Sequence, residues 1–267
     1  MTTASAFETF RRLHGNGLLL LANAWDAGTA RLIESLGAKA IATTSAGVAW
    51  AHGFADGDHL PVPRLVATVA DIVRAVRVPL SVDVEGGYSD DPATAAGTVM
   101  RVVQAGAAGI NLEDGAGEPA LLAAKIRAIR TACAAQGLDV FINARTDVYL
   151  RGLVVETARI DETLARAEAY HEAGADGLFV PGVVDADAIA TLAARCGMPL
   201  NVMLRPQLQD LATLERLGVR RISTGSALAE SMYGRLGAQV EEFLRDDRTA
   251  LPDPRAMGYG AINGLFA

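Results

Sequence analysis

Four times along the chain a helical pattern stops at a glycine and passes straight into a short apolar run. The four joints are Leu36-Gly37-Ala38-Lys39-Ala40-Ile41, Ala105-Gly106-Ala107-Ala108-Gly109-Ile110, Ala173-Gly174-Ala175-Asp176-Gly177-Leu178 and Leu217-Gly218-Val219-Arg220-Arg221-Ile222. Glycine supplies the left-handed backbone that ends a helix. A continuous apolar run is what a strand covered on both faces requires. Between the joints the pattern predicts strands at Leu18–Ala22, Lys39–Thr44, around Asp83, Gly109–Glu113, Val140–Ala144, Gly177–Val180, Pro199–Met203 and Arg221–Thr224. Helices are predicted over residues 5–14, Ala27–Leu36, Arg64–Ala75, Ala93–Ala105, Glu118–Gln136, Ile160–Ala173, Asp185–Arg195, Gln207–Leu217 and Ala227–Asp246, with a long glycine-rich loop from Thr44 to Pro63. Strands alternating with helices imply a parallel sheet. With the joint repeating and no linker interrupting it, the α/β class narrows to a closed (β/α)8 TIM barrel rather than a doubly wound sheet. Residues 1–267 read as one domain, with a C-terminal helix and tail from about 227 onward.

Composition excludes several classes. The 267 residues are 51% apolar and 21% charged, as expected of a soluble globular chain, and carry a net charge of −7 with no lysine or arginine cluster, which argues against a nucleic-acid partner. Leu18–Ala24 follows Arg11 and Arg12 like a short signal peptide, but it meets Asp26 and reads as the first strand. No segment has the length of a membrane span, and a cytoplasmic location is the default expectation. Cys133 and Cys196 sit far apart inside helical patterns and read as small buried hydrophobes.

In such a barrel the chemistry sits at the C-terminal ends of the strands. The strand Ser81-Val82-Asp83-Val84-Glu85 alternates apolar and acidic residues, so its two carboxylates are expected on one face, running into the turn Gly86-Gly87-Tyr88. Like charges brought together out of water call for a cation between them. Oxygen-only ligands suit Mg²⁺, or Mn²⁺, better than zinc. The next strand adds Asn111 and Glu113 on one face, and the one after adds Asn143, Arg145, Thr146 and Asp147. Asp83, Glu85 and Glu113 are therefore expected to hold a metal ion, partly through water. Arg145 is expected to take a substrate carboxylate or phosphoryl group in a bidentate fork, its plainer alternative being an ion pair with Asp147 or Glu113. Trp25 stands at the end of the first strand as a pocket wall or as ordinary core. His52, His59, Tyr88 or a metal-bound water are the candidate proton donors, while His14 and His171 read as peripheral.

Asp83-x-Glu85-x-Gly87-Tyr88, Gly109-Ile110-Asn111-Leu112-Glu113-Asp114 and Asn143-Ala144-Arg145-Thr146-Asp147, together with Thr43-Thr44-Ser45-Ala46-Gly47-Val48-Ala49, resemble the phosphoenolpyruvate mutase/isocitrate lyase superfamily, in order, from about Asn23 to Ser226. The resemblance implies an α/β barrel, a Mg²⁺ cofactor, small 2-oxo acid substrates, and a homodimer or homotetramer in which a C-terminal helix is exchanged between subunits. It implies that Asp83, Glu85 and Glu113 form the metal site and that Arg145 binds substrate. It further implies that Ser45, Ala46 and Gly47 hydrogen-bond the oxo-acid carboxylate and carbonyl, that Asp56 is a further active-site acid, and that Asn201 is a polar group at the end of strand seven. The sequence departs from the lyase branch, whose Lys-x-Cys-Gly-His loop is replaced here by Gly115-Ala116-Gly117-Glu118-Pro119, and Cys133 lies too deep in a helix to substitute. The mutases' longer gating loop with Lys and Asn is absent too. The expected chemistry is the making or breaking of a C–C bond in a 2-oxo acid through an enolate. The alternatives are P–C chemistry on a phosphonopyruvate-type substrate and a 2-oxo acid binding protein with little turnover.

Overall fold

The computed structural model describes residues 3–15, 17–245 and 256–267. In chain order the elements are α1 (Thr3–Leu13), β1 (Leu19–Leu21), β2 (Asn23–Ala24), α2 (Ala27–Ser35), β3 (Ile41–Thr43), α3 (Ser45–Ala51), α4 (Val62–Ala75), β4 (Leu80–Asp83), α5 (Pro92–Gln104), β5 (Gly109–Glu113), α6 (Pro119–Ala135), β6 (Phe141–Arg145), α7 (Arg159–Ala173), β7 (Gly177–Phe179), α8 (Ala186–Arg195), β8 (Leu200–Met203), α9 (Leu211–Arg216), β9 (Val219–Ser223), α10 (Ala227–Arg245) and α11 (Tyr259–Gly264). All strand pairs are parallel, in the order β1-β9-β8-β7-β6-β5-β4-β3-β2. Since β1 and β2 are two halves of one extended segment broken at Ala22, the sheet closes on itself and the architecture is a (β/α)8 barrel of the TIM type. The closure is locked by Asn23, whose Oδ1 accepts from the backbone N–H groups of Thr224 and Gly225 and whose Nδ2 donates to the Thr43 carbonyl at 2.7 Å.

The glycines of the four repeated joints all adopt positive φ, from +94° at Gly218 to +110° at Gly106. Aspartates cap α2, α5, α8 and α9, each accepting from a backbone N–H three residues on. The expected elements are found with shifts of a few residues at their ends, and one expectation is overturned. The segment after β3 does not run as a loop to Pro63 but first forms α3, whose first turn is Ser45, Ala46 and Gly47. The predicted end of α10 at Asp246 lies one residue outside the described residues.

Strand residues divide between two cores. Ile41, Val82, Ile110, Leu112, Ile142, Leu178 and Val202 face outward against the helices. Ala40, Ala42, Leu19, Leu21 and Phe141 face inward and meet Phe7 and Phe10 of α1, which plugs the N-terminal end of the barrel. Gly109 makes that plug possible, because a Cβ there would stand 2.6 Å from the Phe10 ring. His14, expected to be peripheral, is buried in this floor. It stacks on Phe141 at 4.1 Å and donates from Nδ1 to the Phe10 carbonyl. Burial, with the Arg221 charge nearby, pulls its pKa down to about 3. A folded-state value below the unfolded one near 6.5 means that the unfolded chain binds the extra proton between those limits. The contribution is complete above pH 6.5 and drains away as the pH falls towards 3. Comparing urea denaturation of wild type and His14→Leu at pH 7 and pH 5 should show the wild type losing about 1–2 kcal/mol more on acidification. Equal losses would mean that His14 is protonated in the fold.

Candidate active site

Asp83, Glu113 and Arg145 are the last residues of β4, β5 and β6, side by side at the C-terminal mouth. Arg145 is the hub. Its Nε and Nη2 hold both oxygens of Asp147, at 2.7 and 3.1 Å, and its Nη1 reaches Glu113 at 2.6 Å. The anion-holding fork expected for substrate is thus already closed on Asp147, and the plainer alternative is realised with both acids. Asp147 is fully buried; its backbone N–H donates to Asp114, which in turn accepts from Arg166 at 2.8 Å and from the Tyr170 hydroxyl at 2.6 Å. The network fixes Arg145 from behind and leaves its Glu113 side towards the mouth.

Asp83 makes no ion pair among the described residues. Its carboxylate receives only the N–H groups of Ser45 and Glu85, at 3.3 and 3.4 Å. Desolvation pushes its pKa up, against the pull of Arg145. Glu113 is driven up to about 8, mainly by burial and also by Asp83, Asp147 and Glu85, with Arg145 opposing. Carboxylates kept out of water at short range lack positive charge, and an oxygen-only set of this kind fits a hard divalent cation. Yet no three Asp, Glu, His or Cys side chains among the described residues gather closely enough to hold one ion. Glu113 is turned to Arg145. Glu85 does not share a strand face with Asp83: β4 ends at Asp83, and Glu85 takes a left-handed φ of +53°. Its carboxylate is clasped by the Tyr88 hydroxyl at 2.8 Å and by the backbone N–H of Asp58. The alternation Val-Asp-Val-Glu misled because the turn begins one residue earlier than the pattern suggests. Gly87 makes that turn, with a φ of +90° and room for no Cβ against Ala95.

The other expected residues are spread more widely. Ser45 is at hand through its N–H, and Ala46 and Gly47 follow in the first turn of α3. Gly47 has a packing role as well, since a Cβ would lie 2.8 Å from the Thr44 methyl and 3.0 Å from Trp25. Gly47→Ala is expected to cost about 1–3 kcal/mol by overpacking, read as a lowered melting temperature. Asp56 is exposed in the loop beyond α3, near enough to Asp83 and Glu85 to raise both. Asn201 is wholly buried within the barrel, below the mouth. Trp25 lines a different cavity, an apolar groove of about 770 Å³ between α2, α10 and α11. His52 bonds Thr68 at 2.9 Å, and His59 is exposed, its ring against the Asp56 carbonyl. Tyr88 alone of the proton-donor candidates lines the cleft of about 390 Å³ that opens beside Glu113, together with Asp58, Asp114, Glu118 and Lys125. Sequence reasoning gave no role to Asp58 or Arg221 and named Asp114 only within a motif. Arg221 could have been found as a charge at an inward position of a barrel strand.

Paired acids and an arginine at the C-terminal ends of neighbouring strands stand where barrels of the TIM class carry their active sites. The family model for phosphoenolpyruvate phosphomutase matches residues 10–244, and the chain belongs to that family. It is 40% identical over 223 residues to an uncharacterised protein of Mycobacterium tuberculosis, covering 82% of each chain. It is 29% identical over 202 residues to the oxaloacetate decarboxylase of Pseudomonas aeruginosa, covering 72% of this chain and 67% of the other. A crystal structure from Burkholderia cenocepacia, provisionally named a phosphonomutase, superposes with a TM-score of 0.84 at 42% identity, covering 89% of this chain and 99% of that one. Family members are lyases or mutases.

Proposed function

We propose that the protein cleaves a C–C bond in a small 2-oxo acid, with oxaloacetate or a close analogue as substrate and a divalent cation, Mg²⁺ or Mn²⁺, as cofactor. The observation that carries the reading is the row Asp83, Glu113, Arg145, in which Arg145 is held from behind and Asp83 lacks a cationic partner. The likeness to oxaloacetate decarboxylase supports it. Asp83 would hold the cation, and Glu85 and Glu113 would complete its oxygen-only surroundings. When bound, Mg²⁺ supplies positive charge where the keto oxygen becomes an enolate oxygen. The Ser45 N–H, at the start of α3, donates to the Asp83 carboxylate and so stands beside the same group. Arg145 orients the distal carboxylate, exchanging Glu113 for substrate. In decarboxylation the C–C electron pair passes to the keto oxygen as CO₂ departs. The carbon it leaves then takes a proton, for which Tyr88 is the donor we assign. Tyr88 lines the cleft beside Glu113, and its hydroxyl donates to Glu85 at 2.8 Å.

The test is incubation of protein and Mg²⁺ with oxaloacetate, 2-oxoglutarate and phosphonopyruvate, following pyruvate or phosphate. Pyruvate from oxaloacetate is the expected result. Phosphate from phosphonopyruvate would favour the P–C alternative, to which the Burkholderia cenocepacia likeness points. Binding without product from any of the three would leave a 2-oxo acid binding protein. Chelating the cation with EDTA is expected to abolish turnover and Mg²⁺ to restore it.

The proposal extends to assembly. Leu20 on β1 is 50% exposed and Leu36 79%, and with Leu228 they line an apolar groove of about 600 Å³ where a barrel helix would ordinarily lie. Along α10, Met232, Tyr233, Leu236, Phe243 and Leu244 are also exposed. Apolar area on this scale marks an interface. A homodimer or homotetramer exchanging α10 would cover both surfaces. Light scattering should give a multiple of 27.8 kDa, and Leu236→Glu with Phe243→Glu should give the monomer. A wild-type monomer at micromolar concentration would remove the assembly reading. Among the described residues no helix is long and apolar enough to cross a membrane.

A further inference from the structure

Each residue of the row at the mouth stands two positions beyond a polar residue on the same inward face: Ser81 before Asp83, Asn111 before Glu113, Asn143 before Arg145. All three are buried, and they form a layer directly beneath the mouth. Arg221 of β9 ties this layer together from across the barrel. Its Nη2 donates to Asn111 Oδ1 at 3.0 Å and to Ser81 Oγ at 3.3 Å, and Asn111 Oδ1 also accepts from Asn143 Nδ2 at 2.9 Å. One guanidinium thus joins β9 to β4 and β5, and through Asn111 to β6.

Nothing in the proposed chemistry uses Arg221, and its burial is costly. It is 1% exposed, its Nε and Nη1 have no hydrogen-bond partner among the described residues, and no carboxylate touches it. Burial brings its pKa down to about 9, which leaves it charged at neutral pH. A buried unpaired cation is tolerated only where it does something an apolar side chain cannot. Phe10 already fills the floor below, with its ring 5.7 Å from the guanidinium carbon, so plugging the barrel does not require a charge.

We propose that Arg221 is a positioning residue: from inside the barrel it sets the spacing of β4, β5 and β6, and hence of Asp83, Glu113 and Arg145. Its charge sits one layer under the acids, where it supports the same arrangement electrostatically. The inference rests on the reading of those three residues as the reactive row.

The test uses full-length Arg221→Met, which keeps length and apolar bulk, and Arg221→Lys, which keeps the charge on a shorter side chain without the planar guanidinium. In whichever assay shows wild-type turnover, kcat is expected to fall at least tenfold in the Met variant and severalfold in the Lys variant, with KM for the 2-oxo acid moving less than threefold. A purely structural role would lower the melting temperature without that split. Wild-type kcat in a folded Met variant overturns the proposal. Should the Met variant not fold, Ser81→Ala with Asn111→Ala removes both of Arg221's hydrogen bonds and the Asn143 link more gently, and an unchanged kcat there overturns it equally. A wild type that turns over no 2-oxo acid would sink the functional reading alone. The positioning role is then read from crystal structures of wild type and a folded Arg221 variant: a Glu113–Arg145 contact and Asp83 position unmoved by the substitution refute it, and displaced side chains sustain it.

Discussion

Arg145→Lys is expected to lower kcat about 100-fold in the oxaloacetate assay while the protein stays folded. Arg145 makes three contacts at once, two to Asp147 and one to Glu113. Only a planar fork can do so; an ammonium is a point donor that would settle on one acid. Lysine would neutralise part of the charge and keep the fold, but the distal carboxylate of the substrate would lose its orientation, and misplacement by an ångström is worth about two orders of magnitude. The loss should show in both parameters: KM rises because the contact is made to the ground-state carboxylate, and kcat falls because the departing group is misoriented. If kcat and KM both stay within a factor of three, Arg145 is a structural ion pair and nothing more.

The second large effect is on stability. Asp114→Ala is expected to cost about 2–4 kcal/mol, since the Tyr170 hydroxyl and the Asp147 N–H lose their buried acceptor and Arg166 keeps only Glu162 as an ion-pair partner. Asp114 is fully buried and serves three donors: the Asp147 N–H, Arg166 Nη1 and the Tyr170 hydroxyl. For a chain of this length the melting temperature should fall by roughly 10 °C. Arg166→Met in the same background should recover at most a small part of the loss, because Glu162 still pairs the guanidinium when Asp114 is absent. A drop of less than about 1 kcal/mol for Asp114→Ala would mean that water reaches these groups and that the network is not what holds Asp147 behind Arg145.

Much of this arrangement was legible in the chain. Strand–helix alternation and the glycine joints carried the barrel, because helix stops and buried strands are local decisions and the four joints made them in the same way. The row Asp83, Glu113, Arg145 followed from strand periodicity once the barrel was assumed, since residues at strand ends must cluster at one mouth. Glu85 was misplaced for a reason that is equally physical. Alternation holds only while the strand lasts, and a left-handed residue two steps past its end swings the side chain onto Tyr88 and Asp58. Trp25 went astray because a residue at the end of a strand has two sides, and here the apolar groove against α10 took it.

Local pattern by itself therefore settled the class of fold, the order of its elements and which acids and which arginine stand at the mouth. It could not settle the partners those side chains choose, because a partner is a neighbour in space from a distant part of the chain: Asp58 for Glu85, Tyr170 for Asp114, Arg221 for Asn111. Hydrogen bonds and ion pairs fall off over a few ångströms, so only packed strands and helices could decide whether Arg145 met Asp147 or open water, and whether a charge in an apolar strand was stranded or crossed the barrel to support the site.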